Sequence, residues 1–198
     1  MSRGRTFIVS GPSGVGKSTV LGALLEKRRE LYFSVSATTR AAREGEIDGV
    51  HYHFLDADTF RAWIARDEFL EYAEYVGNFY GTPKRFVDEA MDQGRDVILD
   101  IEIQGARQVK AKRPEAVSIF IAPPSWAELE RRLTVRGTDS QEKIQKRLLR
   151  AKVEIQTAQD YDYFVINDTV DGALRELEAI LTAEHCRPRE RLDAISGL

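Results

Sequence analysis

Eight consecutive residues, GPSGVGKS from Gly11 to Ser18, set three glycines, a lysine and a hydroxyl at the spacing G-x-x-x-x-G-K-[ST]. Such a loop bends so that successive backbone N–H groups meet phosphate oxygens, and a helix starting at its end adds positive charge. Lys17 has the reach for terminal phosphates, and the Ser18 hydroxyl is a ligand for Mg²⁺. Gly11, Pro12, Ser13, Gly14, Val15, Gly16, Lys17 and Ser18 therefore read as a nucleoside triphosphate cradle. A chance glycine-rich turn is the competing reading. Asp100, ending the apolar run DVILDI, is the natural carboxylate for that Mg²⁺, directly or through water. A capping or ion-paired aspartate is the alternative.

A second stretch, FSVSATTRAAR from Phe33 to Arg43, combines hydroxyl side chains with Arg40 and Arg43 and has no acid before Glu44. Two guanidiniums three apart pose the question of which anion they hold, or whether they form a solvated charged face. Further on, RRLTVRGTDSQEKIQKRLLR carries seven basic residues against Asp139 and Glu142. That patch points to a small polyanion, or to a salt-bridged helix surface.

The elements that must position these residues alternate. TFIVS reads as a buried strand ending at glycine, and Lys17 to Arg29 has helical spacing with basic residues near its end. DVILDI (96–101), VSIFIA (117–122) and YFVIN (163–167) are strands of a parallel sheet covered on both faces. Thr82-Pro83 reads as N-cap and first residue of a helix towards Gln93. Ser125 with Glu128, and Asp139 with Glu142, read as capping boxes, the second opening a helix to about Gln159. Val170 to Cys186 is a terminal helix. Between Ser34 and Gly81 the runs are short and alternating, with glycine turns at Gly45, Gly49 and Gly77, as in a small, partly antiparallel insertion. The fold class is α/β.

The 198 residues suit one domain, or one core with insertions, and 42% apolar with 31% charged residues is a globular balance. A net charge of −3 argues against a protein held on nucleic acid by a basic surface. No apolar run is long enough for a membrane span or signal core. The lone Cys186 excludes an internal disulfide, and a cytoplasmic protein is the simple reading.

From about Thr6 to Glu184 the chain resembles guanylate kinases, through GPSGVGKS, SATTRAAREGEIDGVHY, FLEYAEYVGNFYGT, LDIEIQGA and RGTDSQEKIQKRL. The resemblance implies a phosphate-loop core at 1–33 and 95–198, a GMP-binding insertion at 34–94, and a helical lid at about 132–158. It implies transfer of phosphate from ATP to GMP, and to dGMP, with Mg²⁺ as cofactor. Its GMP-phosphate contacts fall on Ser36, Arg40, Arg43, Tyr52 and Tyr80, and its base-reading residues on Glu71, Thr82 and Glu102. It puts Asn167 near adenine. Taken alone, Glu71 reads as an exposed strand residue, and Tyr52 and Tyr80 as packing aromatics.

Guanine presents N1–H and N2–H₂ as adjacent donors, which a carboxylate such as Glu71 can accept together; adenine would leave it unpaired. A phosphate monoester is already ionised near pH 7, so the acceptor needs no general base. The step needs charge neutralisation, supplied by Lys17 and Mg²⁺ on the donor and Arg40 between the phosphates. By resemblance Arg136 and Arg147 close over the transferring group, with Arg132 a weaker candidate; Arg147 also reads as a solvated helix residue. Glu102 stands where part of the family has aspartate, and AAR replaces a more proline-rich sequence before Arg43. Expected partners are ATP and GMP, with neither nucleic acid nor membrane, and a homodimer is admitted. A kinase acting on a ribose phosphate and a non-catalytic protein-binding module are the competing functions.

Overall fold

The computed structural model describes residues 3–135 and 140–188. They fall into two compact units, one of residues 3–8 and 30–117, the other of 9–29 and the chain from 118 onward. Strand β1 (Thr6–Ser10) gives residues to both units, and all five are buried.

In the first unit, β2 (Tyr32–Phe33) pairs in parallel with β7 (Val97–Asp100). A second sheet has the order β4-β3-β6-β5, from β3 (Ala37–Thr38), β4 (His53–Phe54), β5 (Phe69–Tyr75) and β6 (Asn78–Pro83). Its β3–β4 pair is parallel and its β3–β6 and β5–β6 pairs antiparallel. The short alternating runs thus fold as a mixed sheet. Helix α2 (Ala57–Ala65), capped by Asp56 accepting the Thr59 N–H, covers it. Phe60 stacks on Phe69 with centroids 4.3 Å apart and on Phe79 at 5.4 Å, burying Ala37 beneath. Each such ring contributes roughly 1.5–3 kcal/mol by leaving water.

Val76-Gly77, with φ of 49° and 73°, makes the two-residue turn between β5 and β6. Both left-handed positions match the hairpin twist, at a cost for valine. The unit is completed by α3 (Lys84–Asp92) and α4 (Ile103–Lys112).

The second unit holds α1 (Lys17–Lys27), β8 (Val117–Ala122), α5 (Trp126–Val135), α6 (Gln141–Gln156), β9 (Tyr163–Ile166) and α7 (Val170–Glu184). Strands β8 and β9 pair in parallel from Ile119↔Tyr163 to Ala122↔Ile166. Lys27 on α1 bonds Glu178 on α7 at 2.6 Å. Leu129 and Leu133 of α5 bury against Ile144, Leu148 and Ala151 of α6, at the i, i+3, i+4 spacing of an apolar stripe.

Three cap expectations need correction. Thr82 is not an N-cap: it lies in β6, its hydroxyl is turned to Glu71, and Pro83 occupies the cap position of α3 without a side-chain bond. Strand pairing with Glu71 outcompetes the local cap there. Ser140, not Asp139, caps α6 by accepting from the Lys143 N–H; Asp139 itself lies outside the described residues. Ser125 does accept the Glu128 N–H at 3.1 Å, but the Glu128 carboxylate is taken by arginines. The helix expected to reach about Gln159 ends at Gln156 and tightens into a 3₁₀ turn, Thr157–Asp160.

Candidate active site

The loop Gly11–Gly16 bridges β1 and α1, with φ of 91° at Gly14 and 89° at Gly16. Only glycine adopts that conformation cheaply. At Gly16 a Cβ would also lie 2.7 Å from the Asn167 amide nitrogen. Gly16 occupies the N-cap position and has no side chain to cap α1, which suits a helix end meant for an anion.

The back of the loop is tied down at Val15, whose side chain is buried. Its carbonyl accepts from Asn167 Nδ2 at 2.7 Å and from Arg132 Nη1 at 3.0 Å. Arg132 also donates to the Asn167 carbonyl at 3.0 Å and to Glu128 at 2.7 Å. In a trans peptide the C=O and the following N–H point opposite ways, so fixing the Val15 carbonyl backward turns the Gly16 N–H forward. Bonds from Arg131 and Arg132 hold the Glu128 carboxyl down to about 2, so it stays an anion beside them. On α6, Arg147 donates to the Ser13 hydroxyl at 2.7 Å.

In the other unit Arg40 donates to the Ala41 carbonyl at 2.7 Å and to Glu46 Oε1 at 2.8 Å. Glu46 Oε2 accepts the backbone N–H of Arg43 at 2.7 Å. These bonds, Arg40 first and Arg43 second, lower the Glu46 carboxyl to about 2. The Arg40 guanidinium lies 5.4 Å from the Tyr52 ring centre, and Tyr52 meets Tyr80 edge-on at 6.1 Å. Ser36 is half-buried and its carbonyl accepts the His53 N–H at 2.9 Å.

Glu71 is only 8% exposed, so it is not a solvated strand residue. It pairs with Thr82 across the β5–β6 ladder, and the Thr82 hydroxyl donates to Glu71 Oε1 at 2.6 Å. Burial pushes the Glu71 carboxyl up; the Thr82 bonds oppose this, and the Glu102 charge adds to it. Glu102 is exposed at the cap position of α4.

The candidates thus assemble as three groups, two in the first unit and one at the phosphate loop in the second. Arg40, Tyr52 and Tyr80 gather around one guanidinium, while Glu71, Thr82 and the charge of Glu102 form a second set. Arg147 and Asn167 join the phosphate loop, Asn167 through its side-chain amide on the Val15 carbonyl. The Arg43 side chain is exposed; its N–H bonds Glu46, and its charge also helps to lower that carboxyl. Lys17 is half-buried at the first turn of α1, Ser18 is exposed beside it, and Asp100 is half-buried at the end of β7. Arg136 lies outside the described residues. Sequence reasoning missed Glu46, which serves the arginines, and Glu128, which serves Arg132. Glu46 sits three residues past Arg43 in a glycine turn, where a returning carboxylate could have been sought.

A strand, a glycine loop and a helix on a sheet of parallel pairings make this a phosphate-loop α/β protein with a nucleotide site. Residues 3–184 match the family model described as guanylate kinase. The chain belongs to the guanylate kinase family. It is 56% identical over 185 residues to a guanylate kinase of Thermus thermophilus, covering 93% of this chain and 84% of that one. It is 52% identical over 190 residues to a guanylate kinase of Halalkalibacterium halodurans, covering 96% and 93%. A crystal structure of guanylate kinase from Anaplasma phagocytophilum aligns with a TM-score of 0.74 at 36% identity, covering 95% of this chain and 89% of that one.

Proposed function

We propose that this protein phosphorylates GMP with ATP, giving GDP and ADP, and accepts dGMP as well. The observation that carries this reading is the buried Glu71 carboxylate bonded to Thr82. A buried acid with acceptor capacity left over suits the paired donors of guanine and rejects adenine, which would leave it unpaired.

The phosphate loop, Gly11 to Ser18, takes the donor's polyphosphate, with Lys17 on the terminal phosphates. Ser36, Arg40, Arg43, Tyr52 and Tyr80 take the acceptor's phosphate. Glu71 and Thr82 read its base, with Glu102 beside them. Arg147, already bonded to the phosphate loop, neutralises charge on the transferring group together with Arg136. Asn167 serves the ATP side. The acceptor oxygen is ionised near pH 7 and needs no base, so these residues act by alignment and charge.

Ser18 and Asp100 are oxygen donors, the kind Mg²⁺ takes. Among the described residues no group of three or more His, Cys, Asp or Glu is assembled for a metal. That donor set fits a cation held chiefly by phosphate oxygens and water. When bound, Mg²⁺ would neutralise charge on the ATP phosphates. A cytoplasmic setting belongs to the same proposal: Cys186 is the single cysteine of the sequence, so the fold uses no internal disulfide, as suits a reducing compartment.

The test is a coupled assay with ATP·Mg²⁺ and a panel of GMP, dGMP, AMP and a ribose phosphate. GDP formation with little AMP turnover is expected. A protein that turns over the ribose phosphate and not GMP, or that turns over nothing, overturns the proposal.

A further inference from the structure

Helix α4 carries a glycine in its first turn, Gly105, although glycine is a poorer helix former than alanine. What lies against it explains the choice. A Cβ built on Gly105 would stand 2.9 Å from Glu71 Oε2, 3.2 Å from Cδ and 3.3 Å from Cγ. Below 3 Å the carboxylate would have to move. It is not free to do so without loss, because its other oxygen accepts the Thr82 hydroxyl at 2.6 Å.

Three residues further along the same face, Gln108 meets the backbone next to Glu71. Its Oε1 accepts the Tyr72 N–H and its Nε2 donates to the Tyr72 carbonyl, both at 3.1 Å. Four residues beyond, Lys112 donates to the Phe69 carbonyl at 2.6 Å and to Asp67 at 2.7 Å. Residues 105, 108 and 112 share one helix face by their +3 and +4 spacing. That face touches β5 at Phe69, Glu71 and Tyr72, on both sides of the carboxylate. An amide that bonds both backbone groups of one residue fixes the separation of helix and strand at that point.

We propose that Gly105 and Gln108 are specificity-positioning residues: Gly105 provides the space for the Glu71 carboxylate, and Gln108 holds β5 at the distance where that carboxylate meets the guanine edge. The role rests on the base-reading assignment of Glu71. It acts through Glu71 alone, so it bears on the monophosphate and not on ATP.

The test uses the full chain with Gly105→Ala, Gln108→Leu, Glu71→Gln, Glu71→Asp and the double variant Gly105→Ala/Glu71→Asp. For each, KM and kcat are measured for GMP, AMP and ATP, with the melting temperature. Gly105→Ala is expected to raise KM for GMP about tenfold, leave KM for ATP within about twofold, and not lower kcat/KM for AMP. Its melting temperature should fall only modestly, because alanine's better helix propensity offsets part of the crowding at Glu71. Shortening Glu71 by one methylene retracts the carboxylate from the new methyl, so the double variant should lose less than the product of the two single losses.

Unchanged KM for GMP in Gly105→Ala, with a loss in Glu71→Gln, overturns the positioning role alone. No loss in either overturns the base-reading role and this one with it. Equal losses for GMP and ATP would be a general defect and would also overturn it. Should Gly105→Ala fail to fold, Gln108→Leu decides by the same readouts.

Discussion

The Arg40 guanidinium and the Glu46 carboxylate are joined at 2.8 Å, and both side chains are more than four-fifths withdrawn from solvent. Glu46 also reaches back to the Arg43 N–H. One carboxylate therefore ties the guanidinium of the first arginine to the backbone of the second. Glu46, Ala41 and Tyr80 together use only part of the five-donor fork of Arg40, and the remaining N–H groups can meet a phosphate. Arg40→Ala should lower kcat on the order of a hundredfold or more while the protein stays folded, its melting temperature falling modestly with the loss of the Glu46 pair. Arg40→Lys should recover little of that, because an ammonium cannot reproduce the planar fork. Near wild-type kcat in either variant would exclude Arg40 from the transfer step.

Arg147 is already in contact with the phosphate loop through Ser13. Arg147→Ala should reduce kcat on the order of a hundredfold at saturating ATP. Ser13→Ala removes the contact but keeps the charge, and should cost only a few-fold. If the serine variant falls as far as the arginine variant, the bond itself matters and not the charge on the reacting group.

The Val15 carbonyl is braced from behind by Asn167 and Arg132. Asn167 is 4% exposed, so Asn167→Ala leaves a buried acceptor short of a partner and should cost about 1–3 kcal/mol in denaturant unfolding. With the loop less rigid, KM for ATP should rise while KM for GMP holds. A parallel rise in both would mean the brace does not act through the loop.

Glu71 is held above the ordinary carboxylate range by burial. The folded protein then binds this proton more tightly than the unfolded chain does, so the carboxylate costs stability as pH rises from the unfolded carboxyl range through the raised folded value. Glu71→Gln, which stays neutral, should melt above wild type at pH 7 and converge with it near pH 4. It should also lose GMP turnover. Melting curves that stay parallel at all pH values would show that burial of the charge is not what shifts this group.

Glu46, Asp67 and Glu128 are shifted the other way, each to about 2, by neighbouring cations and N–H groups. Their contribution is complete above the unfolded carboxyl range and is lost as pH falls towards 2. Wild type should therefore melt at progressively lower temperature between about pH 4.5 and 2.5, and Glu128→Gln should show a shallower decline. An unchanged slope would remove Glu128 from the acid transition.

Much of this was legible in the chain itself. GPSGVGKS announces its loop because each position meets a steric or charge requirement that few residues satisfy. The core strands, VSIFIA above all, declare themselves as continuous apolar runs. Glu71 was a different matter. Its alternating surroundings fit an exposed strand, and only the resemblance to a family pointed to the buried role that the β5–β6 ladder supports. Thr82 was misread as a cap because a threonine before proline satisfies the local rule, while its true partner is eleven residues away. The brace of Arg132 and Asn167 on Val15 joins residues more than a hundred positions apart, and no local spacing could carry it. Gly105 did leave a trace, an isolated glycine within a helical pattern.

The paired hydrogen bonds between the Gln108 amide and the Tyr72 backbone have a bearing on solubility too. Strand β5 ends its sheet, and an unoccupied outer backbone there would invite a strand from another molecule. At Tyr72 the side-chain amide already fills both places such an intruder would need. Removing it would expose a template for aggregation beside Glu71, so concentrated Gln108→Leu should precipitate sooner than wild type.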